Sequence, residues 1–274
     1  MHPVLFTLGP ITIYTYGVLV AAGFLIALLY ARRQAPRAGL DPHKIWNVCI
    51  YGILVALLIS KLWLVFSEWN FFVANPGLIF SVSTWQAGGT FYGGFLGGIL
   101  WVVLYCHFKE LPFWGVLDLL APALALGHGI GRLGCFAAGC CYGKPTSLPW
   151  GVKFSSPVAQ WLAGTPLGVS LHPTQLYEAA AEFLNFVLLV LLSARLHSSR
   201  PPATVVRHGR IMGAYFILYG IERGAIEFFR GDPGRTLMFH DAVSLMQLVS
   251  IAFILAGAFL WWRALRPATP RTVL

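Results

Sequence analysis

The stretch IWNVCIYGILVALLISKLWLVF, residues 45–66, decides the fold class. Its one charged side chain is Lys61, and about 20 mostly apolar residues are what a helix needs to cross the hydrocarbon core of a bilayer. Five further runs share this character, at 13–31, 90–108, 176–194, 211–229 and 242–262. A seventh, 113–131, is apolar but interrupted by Asp118, Pro122, His128 and several glycines; it is counted as a span. Seven spans joined by short loops leave no room for a separate soluble domain. The sequence therefore predicts an all-α polytopic membrane protein, a single seven-helix membrane domain over 1–274 with a short outer-side segment at about 144–171. Residues 1–12 have no basic region and no small-residue cleavage site follows the first span, so 13–31 reads as a permanent helix and not a cleaved leader.

Composition agrees. Of 274 residues 57% are hydrophobic and 11% charged, against about 25% charged in ordinary soluble domains, and the mean hydropathy is +0.71. Too few charges remain to cover a water-facing surface, and disorder is excluded as well. The net charge of +9 could suggest a nucleic-acid partner, but the basic residues sit in short groups between apolar runs. Topology explains that grouping, so the expected partner is the bilayer and not nucleic acid.

The same groups orient the chain, because Lys and Arg concentrate on the cytoplasmic side. Twelve of the 19 basic residues fall in the loops after spans one, three and five and in the tail, including Arg32, Arg33, Arg37, Lys44, Lys109, Arg195, Arg200, Arg207, Arg210, Arg263, Arg266 and Arg271. Five fall on the opposite side: Arg132, Lys144, Lys153, Arg230 and Arg235. This puts the N-terminus outside and the C-terminus in the cytoplasm.

With that topology the intramembrane polar groups, which are functional hypotheses by default, gather at the outer ends. They are Tyr14, Tyr16, Lys61, Tyr92, Arg132, Tyr177, Glu178, Glu182, Glu222, Arg223, Glu227, Arg230 and, before span seven, Asp241; only Asp118 belongs to the inner half. Arg223, Glu227 and Arg230 at i, i+4 and i+7 share a helix face. Such a stripe can be a self-neutralising network that locks helices together. Arg132, Arg223 and Arg230 outnumber what Glu227 can neutralise, however, so an anion is expected, and guanidinium groups suit phosphate. The segment GHGIGRLGCFAAGCCYG, residues 127–143, carries six glycines at about 1 kcal/mol each against Ala in a helix. It is expected to leave the helix and wrap the pocket, with close packing through Gly127, Gly131 and Gly134 as the alternative. Gly93, Gly94, Gly97 and Gly98 are expected to pack helices together.

Cys49 and Cys106 lie within spans as small hydrophobes. Cys135, Cys140 and Cys141 fall outside, where disulfides persist. Their C-x4-CC spacing lacks the C-x2-C of a zinc site, so a disulfide or unpaired thiols are expected and no metal. In HPTQLYE, residues 172–178, Pro173 stops the loop, Thr174 is expected to cap the helix and Tyr177 to anchor at the interface, which leaves His172, Gln175 and Glu178 facing the pocket.

These residues resemble bacterial prolipoprotein diacylglyceryl transferases along nearly the whole chain. The resemblance rests on Gly9-Pro10 with Tyr16-Gly17, Tyr92-Gly93-Gly94, Gly131-Arg132-Leu133-Gly134, the HPTQLYE motif, and Tyr219-Gly220 through Glu227-Phe228-Phe229-Arg230. It implies transfer of the diacylglyceryl group of phosphatidylglycerol to the lipobox cysteine thiol of a preprolipoprotein, with release of glycerol phosphate. It also implies a bacterial cytoplasmic (inner) membrane location with the active site on the periplasmic side, and no cofactor. Family roles carry onto Tyr16, Arg132, Gly143, Arg223 and Arg230, the arginines as phosphate ligands. The chain departs from the family's common signature at Cys135 (usually Asn), Ala138 (Asn) and Cys140 (Glu), and the family's proposed catalytic His falls at Tyr92. The general base is therefore open between Tyr92, His128 and His172, or none is needed because a thiol at an arginine-rich site is partly ionised. Two other readings are a divergent paralogue that transfers lipid to another acceptor and an anion- or proton-coupled transporter. Against the transporter stand the single depth of the charges and the lack of repeat symmetry.

Overall fold

Each of the seven apolar runs folds as a helix. The computed structural model describes residues 2–9, 11–81, 84–85, 89–198, 208–233, 235–238 and 243–265; Pro10, Arg200, Arg207, Asp241, Arg266 and Arg271 lie outside the described residues. A hairpin of β1 (Val4–Leu8) and β2 (Ile11–Tyr14) leads into α1 (Thr15–Gln34). Next come α2 (Pro42–Ser67), the short α3 (Trp69–Ala74) and α4 (Phe91–Phe108). The long α5 (Phe113–Ala138) is followed by β3 (Val152–Lys153), α6 (Pro157–Ala163), β4 (Ser170–Leu171) and α7 (Thr174–Ser198). Then come α8 (Arg210–Glu227), the paired β5 (Leu237–Met238) and β6 (Val243–Ser244), and α9 (Leu245–Leu265). Five helical stretches among the described residues are long and apolar enough to cross a membrane: Thr15–Ala38, Pro42–Ser67, Phe113–Ala138, Thr174–Leu196 and Leu245–Leu265. The protein is thus a multi-pass, helical membrane protein. Of the other two expected spans, α4 is apolar but shorter, and α8 carries Arg210, Glu222, Arg223 and Glu227.

The chain packs as two units, residues 31–116 and residues 1–30 with 117–274. In the first, Asp41 accepts from the His43 N–H at 2.7 Å and Pro42 opens α2, a preorganised helix start. The pair α2–α4 closes through small residues, as expected of that glycine run: a Cβ on Gly97 would stand 2.8 Å from Ile59 Cβ, and one on Gly93 2.6 Å from Trp63 Cβ. Lys61 turns its ammonium onto the Thr84 carbonyl at 2.8 Å. Tyr92 lies in this unit, in the first turn of α4, and is 56% exposed.

In the second unit, glycines do the same for α8 and α9. A Cβ on Gly213 would meet the Gly257 carbonyl at 2.9 Å, and one on Gly220 the Ser250 carbonyl at 2.7 Å. Helix α5 corrects the sequence expectation. It runs unbroken through Gly127, Gly129, Gly131 and Gly134 and stops only at Ala138. The reason is packing. Gly127 sits against the Gly23 carbonyl and Ala27 of α1, Gly134 against Tyr16, and Gly129 against the Phe183 ring, and at membrane depth the helix is what satisfies the backbone. Gly131 differs, since a Cβ there would meet nothing within 4 Å. Asp118, the lone inner-half acid, turns out to cap a helix from outside it. Its carboxylate accepts from the backbone N–H groups of Gly209, Ile211 and Met212 at 2.6, 3.0 and 2.9 Å, at the positive end of the α8 dipole.

Candidate active site

The end of α5 near Ala138, the start of α7 and the end of α8 bring the polar residues together. His128 and Arg132 lie one turn apart on α5, and Glu178 and Glu182 one turn apart on α7, so two matched pairs face each other. Arg132 Nη2 stands 2.6 Å from Glu178 Oε1, and Arg132 Nε donates to His128 Nε2 at 3.1 Å. Because Nε2 is an acceptor here, the proton of neutral His128 is on Nδ1, which donates to Glu182 Oε1 at 2.5 Å. Tyr215 donates to the same oxygen at 3.3 Å, the Tyr219 ring lies 5.8 Å from the imidazole, and Asn185 Nδ2 donates to Glu222 at 2.5 Å. Glu178 and Glu182 are 1% and 0% exposed. Buried carboxylates need this degree of pairing to remain in place.

The second basic group lies at the end of α8. Arg223 Nη1 donates to Glu227 at 2.8 Å, and so does Arg235 Nε. Arg230 is not on the helix face expected for it. The helix ends at Glu227, three tighter backbone bonds follow (Phe228 to Ala225, Phe229 to Ile226 and Arg230 to Glu227), and Arg230 leaves the helix axis to pair with Asp232 through two bonds of 2.6 and 2.7 Å. The positive excess inferred from Glu227 alone is also revised. Arg132 has Glu178, Arg230 has Asp232, and Glu227 serves two arginines. Asp232 was missed, and Arg235 was read only as one of the outer-side charges, because their segment reads in sequence as an ordinary loop, GDPGR.

Gly143 ties these parts into one site. It forms an antiparallel bridge with Arg230, its N–H donates to the His172 carbonyl at 2.9 Å, and the next N–H, of Lys144, donates to the Phe229 carbonyl at 2.8 Å. A Cβ on Gly143 would lie 2.5 to 2.8 Å from His172 and the Phe229 carbonyl, so three backbone segments meet where only glycine fits. Thr174 does not cap α7. The Pro173 carbonyl receives the first-turn N–H groups, while the Thr174 hydroxyl donates to the Cys141 carbonyl at 2.7 Å and Gln175 Nε2 to the Cys140 carbonyl at 2.6 Å. HPTQ thus clamps the loop after α5. Residues 144–171 fold over that loop, with Tyr142, Phe154 and Leu171 as a small core and the buried Thr165 hydroxyl donating to the Gly139 carbonyl at 3.0 Å. Tyr16, 44% exposed, packs on Gly134. Beside this, Leu148, Trp150, His172, Tyr177, Ala225, Ile226 and Phe229 line an apolar cleft of about 490 Å³. There Trp150 Nε1 donates to the Tyr177 hydroxyl at 2.8 Å, which lies 3.2 Å from His172 Nδ1.

Residues 3–263 match the sequence model of a family described as prolipoprotein diacylglyceryl transferase. The chain belongs to this family. Relatives include proteins named phosphatidylglycerol–prolipoprotein diacylglyceryl transferase from Clostridium tetani, 36% identical over 95% of this chain and 97% of that one, and from Photobacterium profundum, 34% identical over 99% and 96%. A third, from Finegoldia magna and under the same name, is 32% identical over 95% and 94%. The family resemblance read from the motifs therefore extends over almost the entire chain.

Proposed function

We propose that this chain is the transferase its relatives are named for: it moves the diacylglyceryl group of phosphatidylglycerol onto the lipobox cysteine thiol of a preprolipoprotein and releases glycerol phosphate. The observation that carries the reading is a set of three arginines held in ion pairs, Arg132 with Glu178, Arg223 with Glu227 and Arg230 with Asp232, the last bridged to Gly143, within a chain that matches the family from residue 3 to 263. In this reading all seven helices span a bacterial inner membrane with the N-terminus outside, and the site faces the periplasm. The basic loops on the opposite side support that orientation.

Arg132 and Arg230 take the phosphate and stabilise the charge that develops on it, with Arg223, held by Glu227, beside them. Arriving phosphate competes with His128 for Arg132. When Arg132 turns to the anion, His128 Nε2 loses its donor and becomes free to accept the substrate thiol's proton, while Glu182 on Nδ1 stabilises the resulting imidazolium. The geometry makes His128 the best-supported base among Tyr92, His128 and His172, since it alone is seen both to have a buried carboxylate on one nitrogen and an arginine on the other. Tyr16 overlies Gly134 at the site. Gln175 and His172 serve by fixing the loop and the apolar cleft, which suits an acyl chain or the apolar part of a signal peptide.

The test is transfer from phosphatidylglycerol vesicles to a lipobox peptide by the purified full-length chain. The peptide's cysteine should gain the mass of one diacylglyceryl group, and a peptide with serine in its place should gain none. Folded protein that transfers nothing to either peptide defeats the reading.

A further inference from the structure

The loop after α5 gathers three cysteines that the mechanism above does not use. Cys135 lies in the last turn of α5. Gly139, at φ +82°, turns the chain back, and Cys141 itself has φ +61°, a conformation that side-chain-bearing residues seldom adopt. The Thr174 and Gln175 side chains hold the carbonyls of Cys141 and Cys140 in that geometry. As a result the sulfurs of Cys135, Cys140 and Cys141 all lie within 4.8 Å of one another, and all three are free thiols. Tetrahedral zinc with bonds of about 2.3 Å sets its sulfurs about 3.8 Å apart, so a small inward movement completes such a site. The C-x4-CC spacing argued against zinc only because sequence does not reveal the reversal at Gly139 and Cys141. Cys135 follows Arg132 by one turn of α5, and the loop that carries Cys140 and Cys141 runs into Gly143, which is bridged to Arg230. The thiols therefore border the segments that carry two of the arginines proposed to bind phosphate.

We propose that Cys135, Cys140 and Cys141 hold one zinc ion through three thiolates and leave its fourth position open for the cysteine thiol of the substrate. Three protein ligands with an open position are the pattern of catalytic zinc, not structural zinc, and the proposal rests on the transferase reading. The substrate thiol gives its proton to His128 Nε2 as its sulfur coordinates. A sulfur lone pair then forms the bond to the terminal glycerol carbon of the diacylglyceryl group. The carbon–oxygen bond to phosphate breaks with its electron pair going to the phosphate oxygen. Thiol and phosphatidylglycerol thereby become thioether, glycerol phosphate and one proton, and zinc keeps its charge. A thioether binds zinc less well than a thiolate does, which lets the product leave.

The experiment uses the full-length chain, reduced and anaerobic, in lipid nanodiscs. Cadmium titration should saturate at one ion per chain with sulfur-to-cadmium charge-transfer absorption for three thiolates. The lipobox peptide should raise that absorption by about a third, as a fourth sulfur adds to three, and the serine peptide should not. Stripping with a chelator should lower transfer by about 100-fold or more, the range expected when the group that ionises the nucleophile is lost, and zinc should restore it. The variant Cys140→Ser should lose the stoichiometric cadmium signal, and titration of the unmodified chain decides the question even if that variant does not fold. A saturating ion whose absorption ignores the peptide, a Cys–Cys disulfide in place of metal, or full transfer after stripping would each overturn the open zinc site. Full transfer after stripping leaves the transferase reading standing, whereas no transfer by zinc-loaded, stoichiometric protein overturns that reading itself.

Discussion

The pairs α2–α4 and α5–α7 are both helix pairs of a membrane protein, and they are held by opposite means. In α2–α4 the contact is glycine against apolar side chain, with Gly93 and Gly97 set into Trp63 and Ile59. Close backbone approach supplies dispersion where no hydrophobic driving force acts between helices. In α5–α7 the contact is polar and charged: Arg132 on one helix pairs with Glu178 on the other, and His128 bonds to Glu182. An apolar pair of helices would be simpler to build, because a buried ion pair often stabilises no more than a hydrophobic one of the same size. A protein that keeps the ionic version in one place and the glycine version in another separates the residues that hold it together from those that do chemistry.

The largest expected effect tests that separation directly. Arg132→Lys keeps the charge but loses the fork that reaches both Glu178 and His128, and transfer to a lipobox peptide should fall by about 100- to 1000-fold, as when one donor to a developing anion is removed. Normal expression and an unchanged melting temperature should accompany the loss. A large stability loss instead would make the polar pair structural. Gly143→Ala comes next. The added methyl group forces the His172 and Phe229 backbones apart, and a displacement of that order lowers the rate by about 100-fold in the same assay. Gly97→Leu should reverse the pattern, with a loss of about 1–3 kcal/mol from overpacking against Ile59 and near-normal transfer per folded molecule, read by denaturant titration in detergent. Smallest is Asp118→Ala, which removes the acceptor for three N–H groups of α8 and should destabilise by about 0.5–2 kcal/mol.

The sequence made the long helices legible because each is a long apolar run whose meaning does not depend on neighbours. Arg223 and Glu227 were also legible, as charges in a run that should have none, and Arg132 as a charge at the end of one. What sequence concealed depends on contacts between distant segments. The glycines of α5 look like helix breakers until Gly23 and Tyr16 are seen against them. Asp118 reads as a buried acid until the start of α8 arrives at its carboxylate. Thr174 looks like a cap for its own helix, and its hydroxyl goes instead to Cys141. Asp232 and Arg235 carry no periodic signal, since the turn that presents them begins only where α8 stops. The three cysteines fail the usual metal spacing for the same reason: their convergence is made by two left-handed backbone positions and by two side chains from α7.

The bridge between Gly143 and Arg230 also bears on biogenesis. The loop after α5 emerges from the ribosome well before its partners. Cys140 and Cys141 must wait for Gln175 and Thr174, and Gly143 must wait for Phe229 and Arg230. A chain halted after α7 has inserted has its arginine on α5 and its carboxylates on α7 but no closed loop between them. On the proposed mechanism, the site is therefore complete only once the eighth helix has been threaded into place.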